Sequence, residues 1–165
     1  MRTLLLLRHA EATSVAPGRH DSERPLTDDG LRQAAAVGEA IRAAGHEPGL
    51  VITSSALRTQ QTAEALEFDA PVQIDRRLYN AGSDTILEVL HEVVGDPSVV
   101  LVVGHAPGVP ALVHDLADPD SSDPAARQAI DSGYPSATLC QLEFDGPWTE
   151  LRSARLVRST PGRQA

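Results

Sequence analysis

A single cysteine, Cys140, leaves no partner for an internal disulfide and no thiol cluster for a metal. Aromatic residues make up only 3% of the 165 positions, so the core has to come from Leu, Val, Ile and Ala. That composition suits helices packed closely on a sheet. Charged residues interrupt every apolar stretch well short of bilayer length, which excludes a transmembrane helix. Leu4 to Leu7 is too short an apolar run for a signal peptide, and the expected location is the cytoplasm. Positive charge is in deficit too: a formal net charge of −9 excludes the broad basic face that nucleic acid or an anionic membrane would require. An anionic ligand must therefore meet a local cluster of cations. No Ser-, Pro- or Gly-rich stretch is long enough to serve as a linker, so residues 1–165 are expected to form one domain.

What is present is an alternation of short apolar runs and amphipathic segments. Leu4-Leu5-Leu6-Leu7 has the pattern of a strand buried on both faces, and it stops at the polar pair Arg8-His9. After an irregular polar stretch, Thr27 with Asp28-Asp29 marks a helix start, and the helix should run to about Ala44 with Gly45 as its stop. Leu31, Ala34, Ala35, Gly38 and Ile41 are expected on its inner face. Leu50 to Thr53 is a second buried strand, with Ser54-Ser55 as cap candidates for a helix over about Ala56 to Leu66, so that Arg58 lies in its first turn. A weaker strand over Val72 to Ile74 precedes a helix from about Asp84 to Val94. Ser98 to Val103 is the strongest strand, ending in Gly104-His105 before a helix over about Val109 to Leu116. Asp118 to Asp131 is acidic and holds two prolines, and is expected as a surface excursion with one helical turn. Ala137 to Phe144 and Glu150 to Val157 suit closing strands joined by a turn at Asp145-Gly146-Pro147. The alternation predicts an α/β fold, a three-layer α/β/α sandwich on a mostly parallel central sheet, with ligands at the carboxyl ends of its strands.

Three buried strands then deliver Arg8-His9, Arg58 and His105 to one edge of the sheet. Two guanidinium and two imidazole groups around a point suit a tetrahedral dianion, and phosphoryl is the natural guest. Positive neighbours push His9 towards neutral imidazole, a competent nucleophile at phosphorus, and His105 fits as a donor to the equatorial oxygens. The remaining histidines, His20, His46, His91 and His114, are read as ordinary polar residues. No histidine pair has the spacing of a helical zinc site, so neither metal nor cofactor is expected. Cys140 lacks a following arginine at loop spacing and suits a buried structural thiol. Gly104-His105-Ala106-Pro107-Gly108 lacks the lysine and hydroxyl of a nucleotide-binding loop.

Four stretches together resemble the histidine phosphatase superfamily: Leu6-Leu7-Arg8-His9-Ala10-Glu11-Ala12; Arg24-Pro25-Leu26-Thr27-Asp28-Asp29-Gly30; Ser54 to Ala63; and Val102 to Gly108. The resemblance implies a phosphoglycerate mutase-like fold, with His9 as the phosphorylated residue and Arg8, Arg58 and His105 completing the phosphate pocket. The chain's small size is similar to that of SixA-type phosphohistidine phosphatases. Larger relatives carry an insertion between the second and third pocket motifs that supplies a glutamate proton donor. Here that interval is short and holds Leu78-Tyr79-Asn80-Ala81-Gly82-Ser83-Asp84, without the glutamate. Ala10 also stands where the family has glycine, which demands an ordinary backbone conformation there. Glu11 and Asp84 are the candidate proton donors, and Arg24 a candidate contact at the rim. The nitrogen of a phosphorylated imidazole leaves more readily than an alkoxide, and an uncapped pocket admits a side chain of another protein. Both features favour protein phosphohistidine as substrate. The alternatives are a phosphomonoesterase for sugar or nucleotide-related phosphates, and a phosphate-binding module without turnover.

Overall fold

The computed structural model describes residues 1–162. Its elements alternate as the sequence suggests: β1 (Arg2–Arg8), α1 (Asp28–Ala43), β2 (Leu50–Thr53), α2 (Leu57–Ala65), β3 (Val72–Ile74), α3 (Ser83–His91), β4 (Val99–Gly104), α4 (Gly108–Leu116), α5 (Pro124–Ser132), β5 (Leu139–Phe144) and β6 (Arg155–Thr160). They build one sheet in the order β3-β2-β4-β1-β5-β6. The first four strands pair in parallel, while β5 runs antiparallel to both β1 and β6.

The leucine run of β1 is uniformly apolar because the sheet is covered twice. Leu5 and Leu7 pack with Val51, Leu101 and Val103 beneath Ile41 of α1 and Leu66, the residue that closes α2. Leu4 and Leu6 point the other way, with Ile52, Val100 and Val102, into a larger cluster built on α3, α4 and α5. Alternation of side chains across a strand thus gives the three layers directly.

Helix α1 starts as expected, with the Thr27 side chain accepting from the Gly30 amide, and it stops at Gly45, whose φ is +85°. Its inner face is rotated from the expected one. Gly30, Gln33, Ala34, Gly38 and Ile41 are buried, whereas Leu31 and Ala35 are exposed. Close backbone approach sets this rotation: a Cβ at Gly30 would collide with the Glu11 carbonyl oxygen, and one at Gly38 with that of Leu66. Gln33 is drawn inward because its Oε1 accepts from the Glu11 amide at 2.9 Å.

Two further expectations are corrected. The acidic stretch after Asp118 is more than one helical turn: Asp123 caps α5, Pro124 occupies its first position, and Ala126 and Ile130 are buried beneath it. The last strand begins later than Glu150. Trp148–Glu150 forms a 3-10 turn whose Trp148 indole donates to Pro97 O at 2.8 Å and packs edge-on against Phe144, and the chain returns to the sheet only at Arg155. Burial of Trp148 and Leu151 diverts these residues from the sheet.

Candidate active site

Strand register brings the expected residues together. Arg8 at the end of β1 stands opposite Gly104 at the end of β4, and Thr53 at the end of β2 stands opposite Val103. The His9 amide donates to Gly104 O at 3.0 Å, and the Ala137 amide donates to both Arg8 O and His9 O. The backbone leaving β1 is therefore held on both sides. Ala10 is fully buried with its amide on Thr62 Oγ1, and it is absent from the positive-φ positions of the described residues, as a residue with a Cβ requires.

The two imidazole rings lie 5.4 Å apart, His9 7% and His105 9% exposed. His9 Nδ1 lies 2.7 Å from Ala10 O. A carbonyl only accepts, so the ring proton is on Nδ1 and Nε2 carries the free lone pair. Burial, followed by the charges of Arg58, Arg8 and Arg24, pushes the His9 pKa down to about 4 against the opposing pull of the Ala10 carbonyl, so the ring is neutral near pH 7. His105 is pushed down to about 3, by burial first and then by Arg58 and His9. Its Nδ1 accepts from Arg58 Nη2 at 3.3 Å, since guanidinium has only donors, which leaves its Nε2 proton for Ser54 Oγ at 2.7 Å. His105 Nδ1 is thus an acceptor towards Arg58, while the ring donates through Nε2 to Ser54. Ser54, expected as a helix cap, serves instead to orient His105, and Ala56 takes the cap position without a side-chain bond.

Arg58 lies in the first turn of α2 and is 5% exposed. Arg8 is half-buried, its Nη1 donating to Tyr134 O at 2.8 Å. Among the described residues Arg8 makes no ion pair, and its pKa is lowered by burial and then by the charge of Arg58. Among the described residues, the Nε–H groups of Arg8 and Arg58 are both buried without a partner. Two guanidinium groups that repel each other, each with an unused buried donor beside a neutral imidazole, make a site shaped for an anion.

One residue of this site escaped the sequence reading. Asp21 lies in a 3-10 turn (Asp21–Glu23), and its backbone carbonyl accepts from Arg58 Nη1 at 2.9 Å. Its carboxylate accepts from Arg58 Nη2 at 3.0 Å, from Arg24 Nη1 at 3.0 Å and from the Tyr79 hydroxyl. The Tyr79 hydrogen bond, with those of Arg24 and Arg58, holds Asp21 far below the usual carboxylate range and keeps it ionised. The only signal was position: Asp21 precedes Arg24 by three residues in a stretch without periodicity. Arg24 does lie at the rim, anchored also by its Nε on Thr13 O at 2.6 Å. The candidate donors are engaged elsewhere. Glu11 accepts from the Thr27 hydroxyl at 2.8 Å, and exposed Asp84 accepts from the Thr85 amide of its own helix. Among the described residues no group of three or more His, Cys, Asp or Glu is placed to hold a metal ion, and no helix is long and apolar enough to cross a membrane. Cys140 is fully buried in β5.

Residues 4–85 match the family model of the histidine phosphatase superfamily, branch 1. Uncharacterized protein Rv1276c of Mycobacterium tuberculosis (strain ATCC 25618 / H37Rv) is 32% identical over 145 residues, covering 88% of this chain and 91% of the relative. The chain belongs to the histidine phosphatase superfamily. Within it the likeness is to the SixA type. A structure assigned as phosphohistidine phosphatase SixA from Nakamurella multipartitia superposes with a TM-score of 0.84 at 38% identity, over 98% of this chain and 96% of that one. The corresponding assigned SixA of Agrobacterium tumefaciens gives 0.80 at 26% identity, over 96% and 97%. The fold is thus phosphoglycerate mutase-like and the protein a histidine-nucleophile phosphatase.

Proposed function

We propose that this protein hydrolyses phosphohistidine on other proteins through a phosphohistidine intermediate on His9, with residues 1–165 acting as one catalytic domain. The observation that carries the reading is the neutral His9 ring: Nδ1 is committed to Ala10 O and Nε2 is free, beside two buried guanidinium donors that have no partner among the described residues. In the first step the Nε2 lone pair forms a bond to phosphorus while the bond to the leaving group breaks and its electron pair departs with that group. Water then attacks the same phosphorus, the pair of the P–N bond returns to Nε2, and the water proton passes to phosphate or solvent. Arg8 and Arg58 hold the three equatorial oxygens in both steps.

His105 changes role when the dianion arrives. Burial and positive neighbours keep it neutral, but a phosphoryl group on Arg8 and Arg58 reverses the local field. The imidazolium then becomes favourable, and His105 Nδ1 turns from an acceptor of Arg58 into a donor to phosphate. A depression of about 490 Å³ beside Tyr79, bordered by Ser22, Ser55 and Arg76, supports a substrate presented by another protein.

The test compares phosphohistidine-bearing carrier proteins with a panel of sugar and nucleotide phosphates. The expected result is a kcat/KM for phosphohistidine proteins well above that for any metabolite. A clear metabolite preference would reassign the protein as a small-molecule phosphomonoesterase, and binding without turnover of any substrate would make it a phosphate-binding module.

A further inference from the structure

Glu11 and Asp84 accept hydrogen bonds from Thr27 and Thr85, while an ionised carboxylate, Asp21, lies at the mouth of the site. Asp21 and His105 meet the same nitrogen of Arg58, so one guanidinium nitrogen separates the Asp21 carboxylate from the phosphoryl pocket. Of its roughly four acceptor positions, Arg58, Arg24 and Tyr79 occupy three. Its side chain is 43% exposed and borders the same open depression as Tyr79, His20 and Ser55. The Tyr79 ring stands edge-on to His105 at 5.6 Å, which fixes the phenol between the reaction centre and the mouth.

We propose that Asp21, positioned by Tyr79, recognises the leaving imidazole of the substrate by accepting a hydrogen bond from the ring nitrogen that does not carry phosphorus. The inference rests on the phosphohistidine reading given above. Its chemistry accounts for the missing acid. A phosphorylated imidazole protonated on its second nitrogen needs no proton at the departing nitrogen. As His9 Nε2 bonds to phosphorus, the P–N bond breaks and its pair stays on the leaving nitrogen. The proton already on the other nitrogen, held against Asp21, leaves the product a neutral imidazole. A carboxylate kept ionised by Arg24, Arg58 and Tyr79 favours that protonated ring before the step and orients it during the step. An alkoxide leaving group gains nothing from such a carboxylate, since it requires a donor, and a leaving group with its own negative charge is repelled. Asp21 is thereby a determinant of substrate class as well as a support for Arg58.

The experiment measures kcat/KM of the wild type, Asp21→Asn and Tyr79→Phe on phosphoimidazole and on p-nitrophenyl phosphate, whose phenolate leaves without protonation. Asp21→Asn loosens Arg58 and slows both substrates. The informative quantity is their ratio, which should fall tenfold to a hundredfold against phosphoimidazole, about the worth of one charge-assisted hydrogen bond. Tyr79→Phe should lower the ratio in the same direction by less, and vanadate inhibition in both variants reports that the pocket persists. A parallel loss on both substrates with an unchanged ratio overturns the subsite while leaving the phosphohistidine reading intact. A wild type that turns over p-nitrophenyl phosphate but not phosphoimidazole overturns the phosphohistidine reading, and the subsite with it.

Discussion

Burying two imidazoles beside two guanidinium groups has a consequence for stability that needs no substrate to observe. In the folded protein His9 titrates at about 4 and His105 at about 3, against an ordinary value of 6.5. Well above pH 6.5 both rings are neutral whether folded or unfolded, and the shifts carry almost no free energy. As pH falls below 6.5 the unfolded chain binds protons that the folded chain refuses, so stability is lost with acidification. Between pH 7 and pH 5 each imidazole removes about 2 kcal/mol, or about 4 kcal/mol together, a large share of the roughly 5–15 kcal/mol that holds a domain folded. Carboxylates held low by hydrogen bonds, Asp21 chiefly by that of Tyr79 and Asp75 by that of Arg77, shed their contribution at lower pH than this. Urea unfolding followed by circular dichroism at pH 7 and pH 5, at constant ionic strength, measures the difference. His9→Gln and His105→Gln should each recover about half of the loss due to the pair, whatever they do to stability at pH 7. The same pH difference in the wild type and both variants would refute the assignment of these rings as buried neutral bases.

Three other outcomes are expected. Arg58→Ala should lower kcat/KM by about a hundredfold or more and weaken vanadate inhibition, since it deletes one donor to the developing charge. Binding of vanadate or phosphate near pH 6 should take up protons as His105 becomes imidazolium, detected by calorimetry in buffers of different ionisation enthalpy, and His105→Gln should abolish that uptake. Leu6→Ala, which empties a fully buried position on the α3–α5 face of the sheet, should cost about 2–5 kcal/mol in urea unfolding while leaving the circular dichroism of the folded state unchanged.

The architecture was legible where physical constraints are local. An unbroken run such as Leu4 to Leu7 is stable only as a strand covered on both faces, and Thr27 and Gly45 mark helix ends by their backbone preferences alone. The pocket was legible because Arg8, His9, Arg58 and His105 each follow a strand, and a parallel sheet aligns strand ends. What stayed hidden depends on contacts distant in sequence. The rotation of α1 is set by Gly30 against Glu11 and Gly38 against Leu66, which no periodicity within the helix records. Asp21 sits in a stretch whose 3-10 turn is short and polar, and its importance comes from Arg58, 37 residues away, and Tyr79, 58 residues away. The orientation of His105 likewise follows from Ser54 on a neighbouring strand end.

The most direct test is to mix enzyme with excess phosphoimidazole or p-nitrophenyl phosphate, quench within milliseconds into alkali, where phosphohistidine survives, and map the phosphoryl group by mass spectrometry. Label on His9 at a level that rises and falls with turnover, and none in His9→Ala, is the predicted result. Label on another residue, or full turnover by His9→Ala, would contradict the nucleophile that the whole site is built around.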